Sequence, residues 1–393
     1  MILAFDTWIF RSTHRNSGIY NYAKNLLQTL RTSACRTGDL FMRLPFAHGY
    51  SDNAVDFTPS PGTRIVKTRL LHFHRLWQLG GITAVAARAG ADLIFSPTTH
   101  TCPFGPIPVV TTIHDVTPVV SPSFGSVPNL LERIRLRNAA KYSLKCVTDS
   151  QCSKKDLVEI YGIPREKVTV VYLGYDRDIF NTSKIGADRQ QQLFARYGIR
   201  PPYIFHHGVV QPRKNLLRLI QACRILWKNQ TGSDFQLVLA GPHGWKCQPI
   251  LEAAAKVSIQ GKVILTGALP DEDLASLLKG STLCVIPSLY EGFCLPMVEA
   301  MACGTPTIAS NKSCLPEVSG GVLRYFDPYS IEEMASTIAA ALEDTALRSQ
   351  LSTEGIKRAS QFSWDRCAKE TMAVLSSIQQ RPNGNGKGRM AAR

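Results

Sequence analysis

Residues 283–310 read LCVIPSLYEGFCLPMVEAMACGTPTIAS. The apolar run LCVIPS (283–288) has the length and composition of a buried strand and gives way to a short loop. Pro296 suits a first helical residue and Gly304 a stop, so a helix is expected from Pro296 to about Cys303, with TPTIAS (305–310) as the next strand. Strand, loop, helix and strand in this order make one βαβ unit of a parallel sheet.

The same rhythm extends outward. YIFHHG (203–208), QLVLAG (236–241) and VILTG (263–267) read as strands, with helices from about Asn215, near 249–257 and near 271–279. In the first half, strand-like runs at 1–5, 92–95, 108–113, 145–148 and 167–172 alternate with helical patterns at 18–31, 127–143 and 151–161. The pattern weakens from Asn181 to Pro202. The expected organisation is α/β: a Rossmann-like domain over 1–183, a linker over 184–202, and a second Rossmann-like domain over 203–362. A helix capped by Ser363 is expected over 363–380, followed by a Gly-rich, basic, disordered tail over 381–393 (RPNGNGKGRMAAR). Ligands of such sheets bind beyond the carboxyl ends of the strands, so two such domains define one shared cleft.

With 393 residues and 44% apolar composition the chain can fill two cores. The opening MILAFDTWIF has no basic leader, and no apolar run is long enough to span a bilayer, which points to the cytoplasm. Eleven cysteines without CxxC or CxxxC spacing argue for reduced thiols rather than disulfides or a zinc site. Net charge is +15, and its basic residues bunch in two places. One is Arg64, Lys67, Arg69 and Arg75, interleaved with Leu70, Leu71, Phe73, Leu76 and Trp77, a mix suited to a membrane surface as well as to a solvated helix face. The other is Arg133, Arg135, Arg137, Lys141 and Lys145.

Within the opening stretch, Glu291 lies on the loop and Glu299 about one turn into the helix. Loop amides and the positive helix end favour an anion, while carboxylates accept hydrogen bonds from sugar hydroxyls, so the pair suits a phosphorylated polyol. Glu299 alone would be explained by the helix dipole. In GVVQPRKN (208–215), Arg213 and Lys214 stand where a diphosphate could be met. His114 and Asp115 end the strand VVTTIHD at the rim of the cleft, and Gly18, after Asn16 and Ser17, opens a helix that a ligand could approach closely. Asp176 and Asp178 (DRD) are set aside as turn residues, and Asp271 and Asp273 as helix-capping ones. The first strand is not followed by GxGxxG, which argues against a dinucleotide-dependent oxidoreductase.

Taken in order, NSGIYNYAKNLL, IHDVTP, TDSQCSKKDL, KVTVVYLGYDRDIF, GVVQPRKNLLRLI, PSLYEGFCLPMVEAMACGTPTIAS, LPEVSGG and FSWDRCAKE resemble the family-four retaining glycosyltransferases of the GT-B fold, with the E-x7-E element (Glu291, Glu299) the most specific part. That resemblance implies a metal-free, cofactor-free hexosyl transfer from a nucleotide sugar. Glu291 would contact the hexose and Glu299 the ribose. The backbone of Gly292, Phe293, Cys294 and Leu295 would meet sugar and diphosphate. Arg213 and Lys214 would hold the diphosphate, with Gly208 at the loop start, His114 beside the sugar and Gly18 near the phosphates. Val209 stands where many members carry an arginine, so Arg213 is expected to take that role. The branch looks most like bacterial mannosyltransferases, making GDP-mannose the first donor and a UDP-sugar the second. Expected partners are a glycan or lipid-linked acceptor and an anionic membrane at the inner face of the plasma membrane, not nucleic acid. The other readings are a nucleotide-sugar epimerase, a glycan phosphorylase, or a non-catalytic binding module for sugar nucleotides or lipid surfaces. The first needs only a similar fold, the second a cofactor lysine and a longer chain, and the third the loss of the charged residues that are intact here.

Overall fold

The structure, a computed structural model, describes residues 2–11, 18–37, 41–44, 63–65, 81–99, 105–117, 127–183, 187–229, 234–258 and 262–379. Its first half contains β1 (Leu3–Asp6), α1 (Gly18–Thr37), β2 (Phe41–Leu44), β3 (Thr63–Ile65), α2 (Ile82–Arg88), β4 (Leu93–Ser96) and β5 (Val109–Thr112). It continues with α3 (Val127–Tyr142), β6 (Lys145–Thr148), α4 (Gln151–Tyr161) and β7 (Val168–Val170). The seven strands pair in parallel in the order β3-β2-β1-β4-β5-β6-β7.

The second half opens with α5 (Ala187–Tyr197), β8 (Tyr203–His207), α6 (Leu216–Asn229), β9 (Gln236–Ala240), α7 (Gln248–Ser258), β10 (Val263–Gly267), α8 (Asp271–Gly280) and β11 (Leu283–Ile286). Then come α9 (Leu295–Ala302), β12 (Thr307–Ser310), α10 (Leu315–Ser319), β13 (Arg324–Phe326), α11 (Ile331–Glu343), α12 (Thr345–Ala359) and α13 (Trp364–Gln379). Its six parallel strands are ordered β10-β9-β8-β11-β12-β13. In each sheet the strand order reverses next to the first strand of the half, so the crevices expected to take ligands open beside β1/β4 and β8/β11. Parallel strands are covered on both faces, and β4, β5, β8, β9, β11 and β12 are accordingly buried at every position, their Ser, Thr, His and Gln residues included.

One element departs from the expected plan. The stretch 184–202 expected as a linker carries α5, which buries Leu193 and sets the Arg189 guanidinium 2.7 Å from Asp273. Its run of glutamines and arginines reads as polar because only a narrow face packs. The side chains of the basic aromatic stretch 64–77, together with Asn16, Ser17 and the tail 381–393, lie outside the described residues. The nine cysteines described are free thiols.

Helix α13 leaves the second domain and lies along α1 of the first. Ser363 caps it by accepting from the Arg366 amide at 3.2 Å. The turn after β7 meets its start: Arg177 donates to the carbonyls of Ser360 (2.6 Å) and Phe362 (2.8 Å), and a Cβ at Gly174 would stand 2.2 Å from the Trp364 nitrogen. Because that neighbour is backbone, Gly174→Ala must push α13 off its seat. The expected loss is about 1–3 kcal/mol, read as a lowered urea midpoint, and an unchanged midpoint would contradict the packing described.

Candidate functional site

Strands β8 and β11 are neighbours, and the loops that leave their carboxyl ends face each other. Gly208 follows β8 with φ 137°, a conformation that L side chains rarely adopt, and a Cβ added there would stand 3.4 Å from the Lys214 ammonium nitrogen. A single 3-10 turn, Pro212–Lys214, then presents Arg213 and Lys214 before α6 begins. On the β11 side the loop ends at Cys294, itself at φ 71°, and α9 starts at Leu295 with Pro296 in its first turn.

Between the loops sits Glu291. One carboxylate oxygen accepts from Lys214 Nζ at 2.7 Å and the other from Arg213 Nη1 at 2.6 Å. Arg213 also donates to the Tyr290 carbonyl, and Leu289 donates its amide to the Arg213 carbonyl at 2.9 Å. Ser313 Oγ receives the Glu291 amide proton at 2.8 Å. Lys214 is 6% exposed and Glu291 5%, with the Arg213 side chain at 15%, so the carboxylate and the ammonium are held almost without solvent and the guanidinium keeps a small opening to it. Burial pushes the Glu291 carboxyl up, but the Arg213 and Lys214 cations with their hydrogen bonds outweigh it and hold it down at about 2.

One turn into α9, Glu299 Oε2 lies 2.8 Å from His207 Nε2, at the end of β8. From the other domain, His114 follows β5. Its Nδ1 lies 2.7 Å from Asp149 Oδ2 and its Nε2 3.1 Å from the Pro97 carbonyl. Burial pushes the ring down, yet Asp149 outweighs this and raises His114 above the ordinary imidazole value. Burial raises the Asp149 carboxyl as well, and His114 draws it part of the way back down; with a partner at each ring nitrogen, His114 is held in one orientation.

The two domains meet where Gly292 abuts His114: a Cβ on Gly292 would stand 2.4 Å from the His114 carbonyl oxygen. Around that contact lies a cavity of about 790 Å³ lined from the first domain by Gly18, Lys24, His114 and Asp149, and from the second by Gly208, Arg213, Lys214, Glu291, Gly292, Phe293, Cys294, Leu295 and Glu299. Its volume suits an organic ligand of substantial size.

Models of two sequence families match the chain: Glycosyltransferase Family 4 over residues 17–179 and Glycosyl transferases group 1 over residues 190–358. The chain belongs to the family-four glycosyltransferases of the GT-B fold. Among this family's enzymes, it is 29% identical over 307 residues to the O-antigen chain mannosyltransferase B of Escherichia coli, covering 77% of each. It is 30% identical to the serotype-specific mannosyltransferase WbdA of Escherichia coli over 62% of this chain, a match spanning 30% of that longer relative. In structure it resembles Anabaena HepE in complex with UDP and glucose, with a TM-score of 0.70 at 20% identity, covering 96% of this chain and all of that one.

All the site residues expected of a family-four glycosyltransferase from sequence therefore line one cavity. One detail of the sequence reading needs correcting. Asp271 and Asp273 do not cap α8, whose start at Pro270 has no side-chain cap; Asp273 pairs with Arg189, and Asp271 lines the cavity. The DRD aspartates do form a turn, with Asp176 accepting from the amides of Asp178 and Ile179. Sequence reasoning missed His207 and Asp149. His207 carried a signal, since it ends the strand that opens the Arg213 loop; Asp149 carried none, since its partner lies 35 residues away.

The Glu291 clasp has a pH signature. Its folded carboxyl titrates at about 2, below the ordinary unfolded value near ~4.3. Its stabilisation is thus complete above the unfolded value and is lost as pH falls through about 2. Glu291→Ala leaves two buried cations uncompensated and is expected to cost on the order of 3 kcal/mol at pH 7. In urea unfolding at pH 7, 4 and 3, that gap should narrow with acid; a constant gap would show that Glu291 is not the anchoring anion.

Proposed function

We propose that the chain moves a hexose, in the first instance mannose from GDP-mannose, onto a glycan or lipid-linked saccharide with retention of anomeric configuration, in the synthesis of a cell-surface polysaccharide. The observation that carries this reading is the Glu291 carboxylate held between Arg213 and Lys214 at the strand-order reversal of the second sheet. Support for the sugar comes from the relatives named as mannosyltransferases, and support for a nucleotide sugar from HepE with bound UDP. A UDP-sugar is the second donor.

Chemically, the departing nucleoside diphosphate gains negative charge in the transition state. Arg213, which keeps unused N–H donors, and Lys214 beside Gly208 are assigned to meet it. Each Glu291 oxygen retains acceptor capacity for a sugar hydroxyl, and Glu299, oriented by His207, is assigned to the ribose. On the opposite wall His114, whose affinity for a proton Asp149 raises, would when protonated further favour the anionic leaving group. In this reading the acceptor hydroxyl attacks from the face the nucleotide leaves, no protein nucleophile intervenes, and charge neutralisation is assigned to protein cations without metal or cofactor.

The reading places the enzyme in the cytoplasm at the inner face of the plasma membrane. Support is a single stripe on α3, where Leu130, Arg133, Ile134, Arg137 and Lys141 are all exposed and recur at helical spacing, with Tyr142 and Leu144 beyond it. No helix among the described residues is long and apolar enough to cross a membrane.

Nucleotide release from GDP-mannose, UDP-glucose and UDP-N-acetylglucosamine, with and without lipid-linked saccharide acceptors, tests the reaction. Removing both members of the clasp, as Glu291→Ala with Lys214→Ala, should lower kcat/KM at least ~100-fold; transfer persisting in that double variant would defeat the assignment. For the membrane, Leu130→Ser with Ile134→Ser and Arg137→Glu should abolish flotation with phosphatidylglycerol vesicles, whereas equal flotation of variant and parent would remove the α3 stripe from the reading.

A further inference from the structure

Helix α4 of the first domain is gripped by a carboxylate from the second. The first amides of a helix have no partner within it. Here the three on Gln151, Cys152 and Ser153 all find partners outside the ladder, which itself begins with Lys154. Ser153 N donates to Ser150 Oγ at 3.1 Å and Lys154 N to the Ser150 carbonyl at 3.0 Å. Gln151 N and Cys152 N donate instead to the two oxygens of Glu317, at 2.6 and 2.9 Å, across more than 160 residues of sequence. Tyr172 Oη adds a third bond to Glu317 at 3.0 Å. Since Ser150 already caps α4 from within, Glu317 is not needed merely to start the helix; what it adds is a fixed contact between domains.

Glu317 is itself held in place. It lies on the five-residue α10, and Arg358 of α12 donates to the carbonyls of Glu317 (3.0 Å) and Val318 (2.8 Å). A second bond from the donor-side domain lands on the same helix: Tyr290, next to Glu291, donates to Asp156 at 2.6 Å. At its other side, the start of α4 and the residue leading into it fix His114 twice. Asp149, between β6 and α4, holds the ring, and Ser153 Oγ donates to the His114 carbonyl at 3.1 Å. That carbonyl is the one Gly292 abuts. One helical turn is thereby bonded to both walls of the cleft.

We infer that Glu317 is a positioning residue: by holding the Gln151 and Cys152 amides it sets the separation between the Arg213–Lys214–Glu291 cradle and His114, and so assembles the two halves of the site. The kinetic consequence rests on the glycosyl-transfer reading above; the contact itself does not. A misplacement of about 1 Å between reacting groups can cost on the order of 100-fold in rate. Glu317 and the residues it touches do not line the donor cavity, so nucleotide affinity should not move with kcat.

Two variants attack the contact from opposite sides. Glu317→Ala removes the acceptor. Gln151→Pro removes one donor at a first helical position, where proline is tolerated and the extended Ser150 before it is compatible. Hydrogen exchange on the full chain gives an activity-independent readout. The Cys152 amide should be protected in the parent and exchange at least ~10-fold faster in both variants; equal exchange in parent and Glu317→Ala overturns the inference whatever the donor proves to be. With GDP-mannose as the probe, kcat should fall ~10- to 100-fold in each variant, GDP affinity should stay within ~3-fold, and the double variant should be no slower than the worse single one. A kcat within 2-fold of the parent, or a parallel loss of GDP affinity, would also overturn it. A parent that releases no nucleotide from GDP-mannose would count against the donor reading alone, and the exchange result would still decide the contact.

Discussion

A carboxylate clasped by two buried cations is the interaction on which the arrangement of the cleft depends. Glu291, Arg213 and Lys214 come from loops that leave adjacent strands, so forming the triad fixes how those loops face each other. Desolvating three charges is costly, and isolated pairs of this kind contribute little net stability. The return here is organisation: the Glu291 loop is further tied by Ser313, the Arg213 turn by Leu289 and Tyr290, and the resulting cradle carries a net positive charge towards the open cavity.

The opposite wall uses a related device. His114 lies between Asp149 and a main-chain carbonyl, which fixes its orientation and raises its affinity for a proton. His207 holds Glu299 in the second domain, while its neighbour His206 is pushed down to about 3 by burial and by Lys214, and stays neutral beneath the cradle. Three histidines within one site thus differ in role because their surroundings differ: an acidic partner, a carboxylate at the rim, and an apolar interior beside a lysine.

Most of the frame was legible in the sequence because buried parallel strands announce themselves as short apolar runs. LCVIPS, QLVLAG and YIFHHG became β11, β9 and β8, and Pro296 and Gly304 bracketed α9 within a residue at each end. The edge strands β3 and β13, and β2 beside β3, were not legible, since runs of three or four residues at or next to a sheet margin need not be apolar. Nor was α5, whose packed face is narrow. In the site, residues clustered within one loop were readable from their local pattern, whereas Asp149, His207 and Glu317 act through partners dozens to hundreds of positions away. Such pairings arise only once the sheets are assembled.

The chain passes between the domains twice, once after β7 and once at the start of α13, and Arg177 with Gly174 fastens the two passages side by side. Two adjacent crossings tied together in this way restrain how the domains can slide or twist past each other, since either movement would tear the Arg177 bonds. Phe293, the neighbour of Gly292, sets its ring 5.3 Å from that of Phe362 at the second crossing, so the meeting of Gly292 with His114 lies close to this fastening and shares its rigidity.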